Sequence, residues 1–196
     1  PGNKRIYDYK SLIDKNLSLI EKCDYILMQF EIPLSTVRYV KQLAHSMGKT
    51  VIIDPAPAVS DIEDDFWKGI DIIKPNETEL EIITGRKATS KYDYITSARK
   101  MIDKGVKTVI VTLGKEGCLL VDNVEARFFH TEDVDVVDTT AAGDCFTAAL
   151  AVGLSEDMNM SDAINFAQRA SSIAVTRKGA QTSIPSRDEL NGGGLM

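Results

Sequence analysis

The sequence predicts a three-layer α/β/α fold, in which helices cover both faces of a mostly parallel sheet. Short apolar runs alternate with segments of helical periodicity along the chain, and this alternation is typical of parallel sheets. The chain has 196 residues, of which 43% are hydrophobic, so it is long enough for a full core. We expect a single domain over residues 1–190 and a flexible, glycine-rich tail over 191–196.

Four apolar runs are expected to form parallel strands that are buried on both faces. These runs are 25–28, 51–53, 70–73 and 109–111. Two later runs, 118–121 and 126–129, flank a short polar turn and predict an antiparallel hairpin at one edge of the sheet. The predicted helices are 12–20, 37–47, 146–154 and 161–175. Gly48 is expected to end the second helix, and Ser161 to cap the start of the last one.

Charge and cysteine content exclude several classes of protein. The chain has 23 Lys and Arg against 29 Asp and Glu, and a net charge of -6 argues against a nucleic-acid or anionic-membrane partner. No apolar stretch approaches the length of a membrane span. The three cysteines are too widely spaced for a disulfide scaffold or a zinc site. We therefore expect a cytoplasmic protein that holds any phosphate locally, by backbone amides or a metal.

A turn of small residues, 139–143, carries the clearest indication of chemistry. Two valines, 136–137, end a predicted strand before the turn, and a helix is expected to begin at or just after Gly143. Such a turn leaves amide groups unpaired at the positive end of the helix dipole, where a phosphate binds well. Asp144 then lies in the first helical turn, in position to accept a proton from an attacking hydroxyl. Taken alone, Asp138 and Asp144 would more often be helix-capping residues.

Residues 138–144, D-T-T-A-A-G-D, resemble the D-T-x-G-A-G-D signature of the ribokinase family of sugar kinases, also called the PfkB carbohydrate kinases. The resemblance implies that the chain binds ATP and Mg²⁺ and phosphorylates the primary hydroxyl of a sugar. It implies that Asp144 is the catalytic base. It also implies that Ala141, Ala142 and Gly143 form the anion hole for the transferred phosphoryl group.

Two further segments are similar to nucleotide-binding motifs of the same family. Residues 74–79, K-P-N-E-T-E, match its P-N-x-x-E motif, which implies that Asn76 and Glu79 hold Mg²⁺ and phosphate through water. Without the family, these two residues would more often be a capping box. Residues 112–117, T-L-G-K-E-G, match its T-L-G-x-x-G loop, although a G-x-x-G between strands is otherwise simply a turn. The implied ATP contacts are Asn76, Thr112, Gly114, Gly117, Gly143 and Gln168, with Gln168 facing the adenine.

The segment 174–185 resembles the C-terminal loop of the family, which encloses a monovalent cation together with the Asp-Thr-Thr turn. The resemblance therefore implies a K⁺ site built from oxygen ligands, which suit a hard cation. The implied ligands are the Asp138 side chain, the carbonyls of Thr140, Ala174, Arg177 and Gly179, and the Ser183 hydroxyl.

The choice of sugar is indicated by residues 27–33, L-M-Q-F-E-I-P, which resemble the family's L-M-Q-x-E-x-P. This similarity implies that Glu31 contacts the sugar and that D-ribose is the substrate, with a fructokinase or nucleoside kinase as alternatives. The family's N-terminal strands, its G-G-K-G-x-N motif and its lid have no match here. We therefore expect a nucleotide-binding portion of a sugar kinase, and a homodimer only for a full-length protein.

Two rival interpretations start from the same sequence. The chain could be a remnant that binds a nucleotide or a partner without catalysing a reaction. A second alternative is a thiol nucleophile, Cys145, with His45 or His130 as its base. Asp144 beside Cys145 opposes the low thiol pKa that such a nucleophile needs.

Overall fold

The computed structural model describes residues 9–192, and its strands form one sheet in the order in which they occur along the chain. They are β1 Tyr25–Gln29, β2 Thr50–Asp54, β3 Ile72–Ile73, β4 Thr108–Thr112, β5 Cys118–Val121 and β6 Ala126–Phe129. Strands β1 to β4 are parallel, whereas β5 and β6 are antiparallel to their neighbours. The mostly parallel sheet and its antiparallel hairpin at one edge are as predicted.

Helices cover both faces of the sheet. They are α1 Tyr9–Asp14, α2 Leu17–Glu21, α3 Leu34–Ser46, α4 Asp64–Trp67, α5 Glu77–Thr84, α6 Lys91–Asp103, α7 Ala142–Ser155, α8 Met160–Val175 and α9 Arg187–Gly192. Alternate strand residues face opposite layers, so Ile53 packs with α3 to α6 while its neighbour Ile52 packs with α7 to α9. This arrangement confirms the three-layer α/β/α fold.

Three local predictions are wrong, each for a physical reason. The helix predicted over 12–20 is split into α1 and α2, and Asn16 at the break donates its side-chain amide to the Leu12 carbonyl, which competes with helix continuation. The N-cap of α8 is Asn159, whose side chain accepts from the Asp162 amide, so Ser161 lies inside the first turn. The strand predicted to end at 136–137 does not form.

In place of that strand, residues 131–139 cross the end of α8 without a strand partner. The amides of Val137 and Asp138 both donate to the Val175 carbonyl, so the end of α8 replaces a neighbouring strand as their hydrogen-bond acceptor. Strand β1 also departs from the prediction, because its Leu27 is 40% exposed. Among the described residues β1 is the edge strand of the sheet, and it pairs only with β2.

The ends of two helices bear on the remaining predictions. Gly48 follows α3 with a φ of 68°, the left-handed conformation expected of a residue that ends a helix. Helix α9 continues to Gly192, two residues into the predicted tail, and residues 193–196 lie outside the described residues. No helix of the described part is both long and apolar enough to cross a membrane.

Candidate active site

The carboxyl ends of the parallel strands open onto a cleft of about 610 Å³, which the start of α7 also lines. Ligands of α/β proteins usually bind at this end of a parallel sheet, and the volume is typical of small-molecule sites. The cleft brings together these residues predicted from the sequence: Asn76, Glu79, Thr112, Gly114, Gly117, Ala141, Ala142, Gly143, Asp144 and Gln168. Glu31 and the predicted K⁺ ligands are not part of its lining.

The start of α7 has the unpaired amides that an anion site requires. Ala141 precedes the helix in the left-handed conformation, with a φ of 61°. The amides of Ala141, Gly143 and Asp144 donate to no other group among residues 9–192, whereas the Ala142 amide donates to the Thr139 carbonyl at 3.2 Å. We call these three free amides the cradle. Ala142 is thus not one of the unpaired amides, whereas Asp144 is, and the role of these amides as an anion hole stays a prediction.

Asp144 is exposed at the mouth of the cradle and is held by one side chain from the sheet. Its Oδ1 accepts a hydrogen bond from Nε2 of Gln29, the last residue of β1, at 2.8 Å. A hydrogen bond to a carboxylate is stronger than one between neutral groups, so Gln29 fixes the orientation of the Asp144 side chain. The sequence motifs assigned no role to Gln29. A polar residue at the end of an apolar strand is nevertheless a signal of a functional side chain.

A buried ion pair lies beneath the cradle. Asp54 ends β2 and Lys74 directly follows β3, and Asp54 Oδ2 lies 2.7 Å from Lys74 Nζ with each side chain 4% exposed. Lys74 Nζ is also 3.5 Å from the Gly143 carbonyl oxygen. The Thr147 hydroxyl donates to the Gly143 carbonyl at 2.9 Å and lies 3.3 Å from Asp54 Oδ2. The sequence patterns assigned none of these contacts, because they join residues far apart in the chain.

Asn76 and Glu79 form the capping box that their spacing alone predicts. The Asn76 side chain accepts from the Glu79 amide, and the Glu79 carboxylate accepts from the Asn76 amide, both at 2.8 Å. Burial raises the pKa of the Glu79 carboxyl. Each side chain keeps one terminal atom without a partner, and the described residues contain no cluster of three His, Cys, Asp or Glu side chains suited to a metal. This donor set fits Mg²⁺ that keeps most of its waters and is held with the phosphates.

The loop expected to contact the nucleotide forms a tight turn beside the capping box. The Thr112 amide donates to the Pro75 carbonyl at 3.0 Å, which joins the end of β4 to the start of α5. Gly114 is exposed, and a Cβ there would meet no atom within 4 Å. At Gly117 a Cβ would lie 2.0 Å from the Phe129 carbonyl oxygen, so this glycine is required by the neighbouring strand and not by a ligand alone.

Gln168 lines the cleft with both of its polar ends already engaged. Its Nε2 donates to the His130 carbonyl, and its Oε1 accepts from the Cys118 thiol, each at 3.0 Å. Burial raises the pKa of that thiol to about 12, so Cys118 remains a neutral donor. Because both polar atoms of the Gln168 amide are already hydrogen-bonded, Gln168 can contact a ligand only through the flat face of its side chain.

Asp138 joins the two segments that were predicted to enclose K⁺. Its carboxylate accepts from the Thr140 amide at 2.9 Å and from the Gly179 amide at 3.1 Å. Hydrogen bonds from Thr140, and then from Gly179, lower the pKa of Asp138 to about 2. The Ala174 carbonyl accepts from the Arg177 amide, and the Ser183 hydroxyl donates to the Ala180 carbonyl. The carbonyls of Thr140, Arg177 and Gly179 accept no hydrogen bond within the described residues, so they fit the predicted role of oxygen ligands.

The remaining candidates do not join this site. Glu31 lies exposed in the turn after β1, outside the lining of the cleft. Burial, and then the neighbouring Asp144 carboxylate, raise the pKa of Cys145 to about 11, so this thiol is not an activated nucleophile. His130 is exposed beyond β6, and His45 lies on α3, across the sheet from α7. The burial of the Cys145 thiol and the carboxylate beside it therefore argue against the thiol alternative.

A family model described as pfkB family carbohydrate kinase matches residues 5–187. The chain is 42% identical over 170 residues to the ribokinase of Haemophilus influenzae. This alignment covers 87% of the present chain and 55% of the relative. It is 34% identical over 180 residues to the deoxyribokinase of Salmonella typhi. That alignment covers 91% of the present chain and 58% of the relative. The chain therefore spans little more than half the length of these curated relatives.

Solved structures give the same result. The ribokinase of Arabidopsis thaliana complexed with ribose and ATP matches with a TM-score of 0.86 and 34% identity, over 91% of this chain and 58% of that one. The ribokinase of Thermotoga maritima matches with a TM-score of 0.79 and 38% identity, over 95% of this chain and 59% of that one. The similarity thus extends over nearly all of the present chain.

Proposed function

The chain belongs to the pfkB family of carbohydrate kinases, and we propose that it supplies the ATP site and catalytic base of an enzyme that phosphorylates a sugar. The observation that carries this proposal is the position of Asp144. It lines both the large cleft and a second cavity of about 220 Å³, and Gln29 and Asp54 line both as well. A base between two cavities is placed to act on a hydroxyl in one and a phosphate in the other.

In the proposed reaction, Asp144 accepts the proton of the sugar's primary hydroxyl while that oxygen attacks the terminal phosphorus of ATP. Gln29 keeps the carboxylate oriented through its amide. The three free amides of the cradle donate to the phosphoryl oxygens as negative charge develops on them. Asn76 and Glu79 would hold Mg²⁺ through its waters, and that ion supplies charge neutralisation at the phosphates.

D-Ribose is the proposed acceptor. The relatives named above are ribokinases and a deoxyribokinase, and one solved relative was complexed with ribose and ATP. Glu31 as a sugar contact, K⁺ as an activator bound through Asp138, and a homodimer of the full-length protein are further parts of the proposal. A cytoplasmic location stays a prediction, as does the single-domain boundary at residue 190.

A second candidate function is nucleotide binding without catalysis. It is favoured by strand β1, the edge of the sheet among residues 9–192, where Leu27 is 40% exposed beside the smaller cavity. A sugar site that is open to water at this edge would position the acceptor hydroxyl poorly and would admit water to the reaction.

The test is ADP formation by this chain with MgATP and K⁺, in the presence and absence of sugar. D-Ribose, 2-deoxy-D-ribose, D-fructose and a nucleoside are compared, with Asp144→Asn as the inactive control. Formation of ADP that depends on D-ribose and is absent from Asp144→Asn supports the kinase. ATP binding without sugar-dependent turnover supports the second candidate, and the absence of ATP binding contradicts both.

A further inference from the structure

The buried Asp54–Lys74 pair is a part of the cleft that the proposed reaction leaves without a function. Removing two charges from water carries a large desolvation cost, which their mutual attraction often fails to offset. Stability alone is therefore a weak reason for such a pair. Asp54 Oδ1 adds to this argument, because it is buried without a hydrogen-bond partner among the described residues.

The pair is packed directly against the cradle. The ammonium of Lys74 lies 3.5 Å from the Gly143 carbonyl oxygen, and a Cβ added at Gly143 would lie only 3.1 Å from Lys74 Nζ. The Thr147 hydroxyl connects Asp54 to the same carbonyl. Because the Gly143 carbonyl shares a planar peptide unit with the Asp144 amide of the cradle, the position of Lys74 and the position of that amide depend on each other.

The charge of Lys74 is also unusual for this cleft. Acidic side chains predominate among the described lining residues: Asp54, Glu77, Glu79, Glu132, Asp133 and Asp144. The lining cations are Lys74 and Lys115, and only Lys74 is buried, since Lys115 is exposed on the turn Gly114–Glu116. A fixed cation with little water around it interacts with an anion more strongly than an exposed one does. Lys74 is therefore the cation best placed to act on a phosphate in the cradle.

We propose that Lys74, held in place by Asp54, makes the cradle selective for a nucleotide whose terminal phosphate reaches the start of α7. Lys74 then distinguishes ATP, the phosphoryl donor, from ADP, the product. Asp54 is a positioning residue, because its carboxylate fixes the Lys74 ammonium against Gly143. The inference rests on the proposed function in taking ATP as the ligand of the cleft.

The experiment measures equilibrium binding, so it does not depend on turnover. Affinities for Mg²⁺ with a non-hydrolysable ATP analogue and for MgADP are determined by calorimetry on the whole chain. Lys74→Met is compared with the double variant Asp54→Asn, Lys74→Met, which leaves no unpaired carboxylate in the interior. Lys68→Met is the matched control, because Lys68 also pairs with an aspartate but is 69% exposed.

We expect both Lys74 variants to bind the ATP analogue about tenfold more weakly, which is the loss typical of one hydrogen bond to a charged group. Affinity for MgADP should change by less than about twofold, and Lys68→Met should match the parent chain. Thermal unfolding is recorded first, and if Lys74→Met does not fold, the double variant carries the test.

Equal losses for the ATP analogue and MgADP would show that Lys74 supports only the fold, and would overturn the inference. A double variant that keeps the parent's preference for the ATP analogue would overturn it as well. Either result leaves the proposed function intact. A parent chain that binds neither nucleotide contradicts the proposed function, and the inference fails with it.

Discussion

Asp144 is held between the sheet and a helix, and this position determines what its carboxylate can do. The Gln29 amide restrains Oδ1 from the end of β1, while the residue's own amide is free at the start of α7. The same residue therefore brings a carboxylate and an unpaired amide to one place. In the proposed reaction, a hydroxyl that approaches from the smaller cavity meets this carboxylate next to the cradle.

We expect Asp144→Asn to lower kcat by about 100-fold to 10,000-fold, the usual contribution of a general base. The affinity for MgATP should be nearly unchanged, because the amide of residue 144 remains in the cradle. Steady-state kinetics with D-ribose and binding of an ATP analogue measure the two effects. Gln29→Ala is the companion variant and should lower kcat by a smaller factor, about tenfold. If Asp144→Asn keeps a substantial part of the parent's turnover, Asp144 is not the base.

At the scale of elements, sequence patterns predicted the strands well and the site's supporting contacts poorly. Buried parallel strands are continuous apolar runs, so β2 and β4 were visible directly. The pair 136–137 is also apolar, yet both valines are exposed and form no strand, because the Val175 carbonyl takes the amides of Val137 and Asp138. Such long-range contacts depend on how α8 ends, and a local pattern carries no information about them.

The same limit applies to the candidate site. Motifs identified residues that line the cleft, since the D-T-T-A-A-G-D turn and its neighbours are local sequences. The motifs did not identify the contacts that support the site, because these contacts form only when β1, β2, β3 and α7 come together. The residues concerned are Gln29, Asp54, Lys74 and Thr147. A charged or amide residue at the end of an apolar strand is a signal that would have indicated Gln29, Asp54 and Lys74, whereas Thr147 lies inside α7 and has no such signal.

Asp138 connects the turn before α7 to the loop after α8, and this connection is expected to control K⁺ activation. A pKa lowered to about 2 means that the carboxylate contributes fully above its ordinary pKa near 4, and that its contribution is lost only as the pH falls towards 2. K⁺ activation in the parent should therefore be constant between about pH 5 and pH 8.

Asp138→Ala should raise the K⁺ concentration for half-maximal activity by at least about tenfold, as is usual when a residue that supports a metal site is removed. Activity is measured against K⁺ concentration at several pH values, with Na⁺ as the comparison ion. Equal activity of the parent in Na⁺ and in K⁺ contradicts the cation site.

For the molecule as a whole, one sheet carries two cores. Neighbouring residues of β2 point in opposite directions, so Ile52 contributes to the core with α7 to α9 and Ile53 to the core with α3 to α6. The cleft opens where elements of both layers meet the strand ends. Because the strands are common to both cores, we expect the described part of the chain to unfold as one cooperative unit.

The chain's one tryptophan, Trp67, tests this expectation, because it is fully buried in the core with α3 to α6. Ile52→Ala removes apolar contacts on the opposite face and should lower the free energy of unfolding by about 2 to 5 kcal/mol. If the sheet couples the cores, the transition followed by Trp67 fluorescence should shift as far as the one followed by circular dichroism. Leu27→Ala, at the 40% exposed edge position, is the control and should shift both transitions much less. A fluorescence transition that stays at the parent's midpoint while circular dichroism becomes biphasic would show instead that the two layers unfold separately.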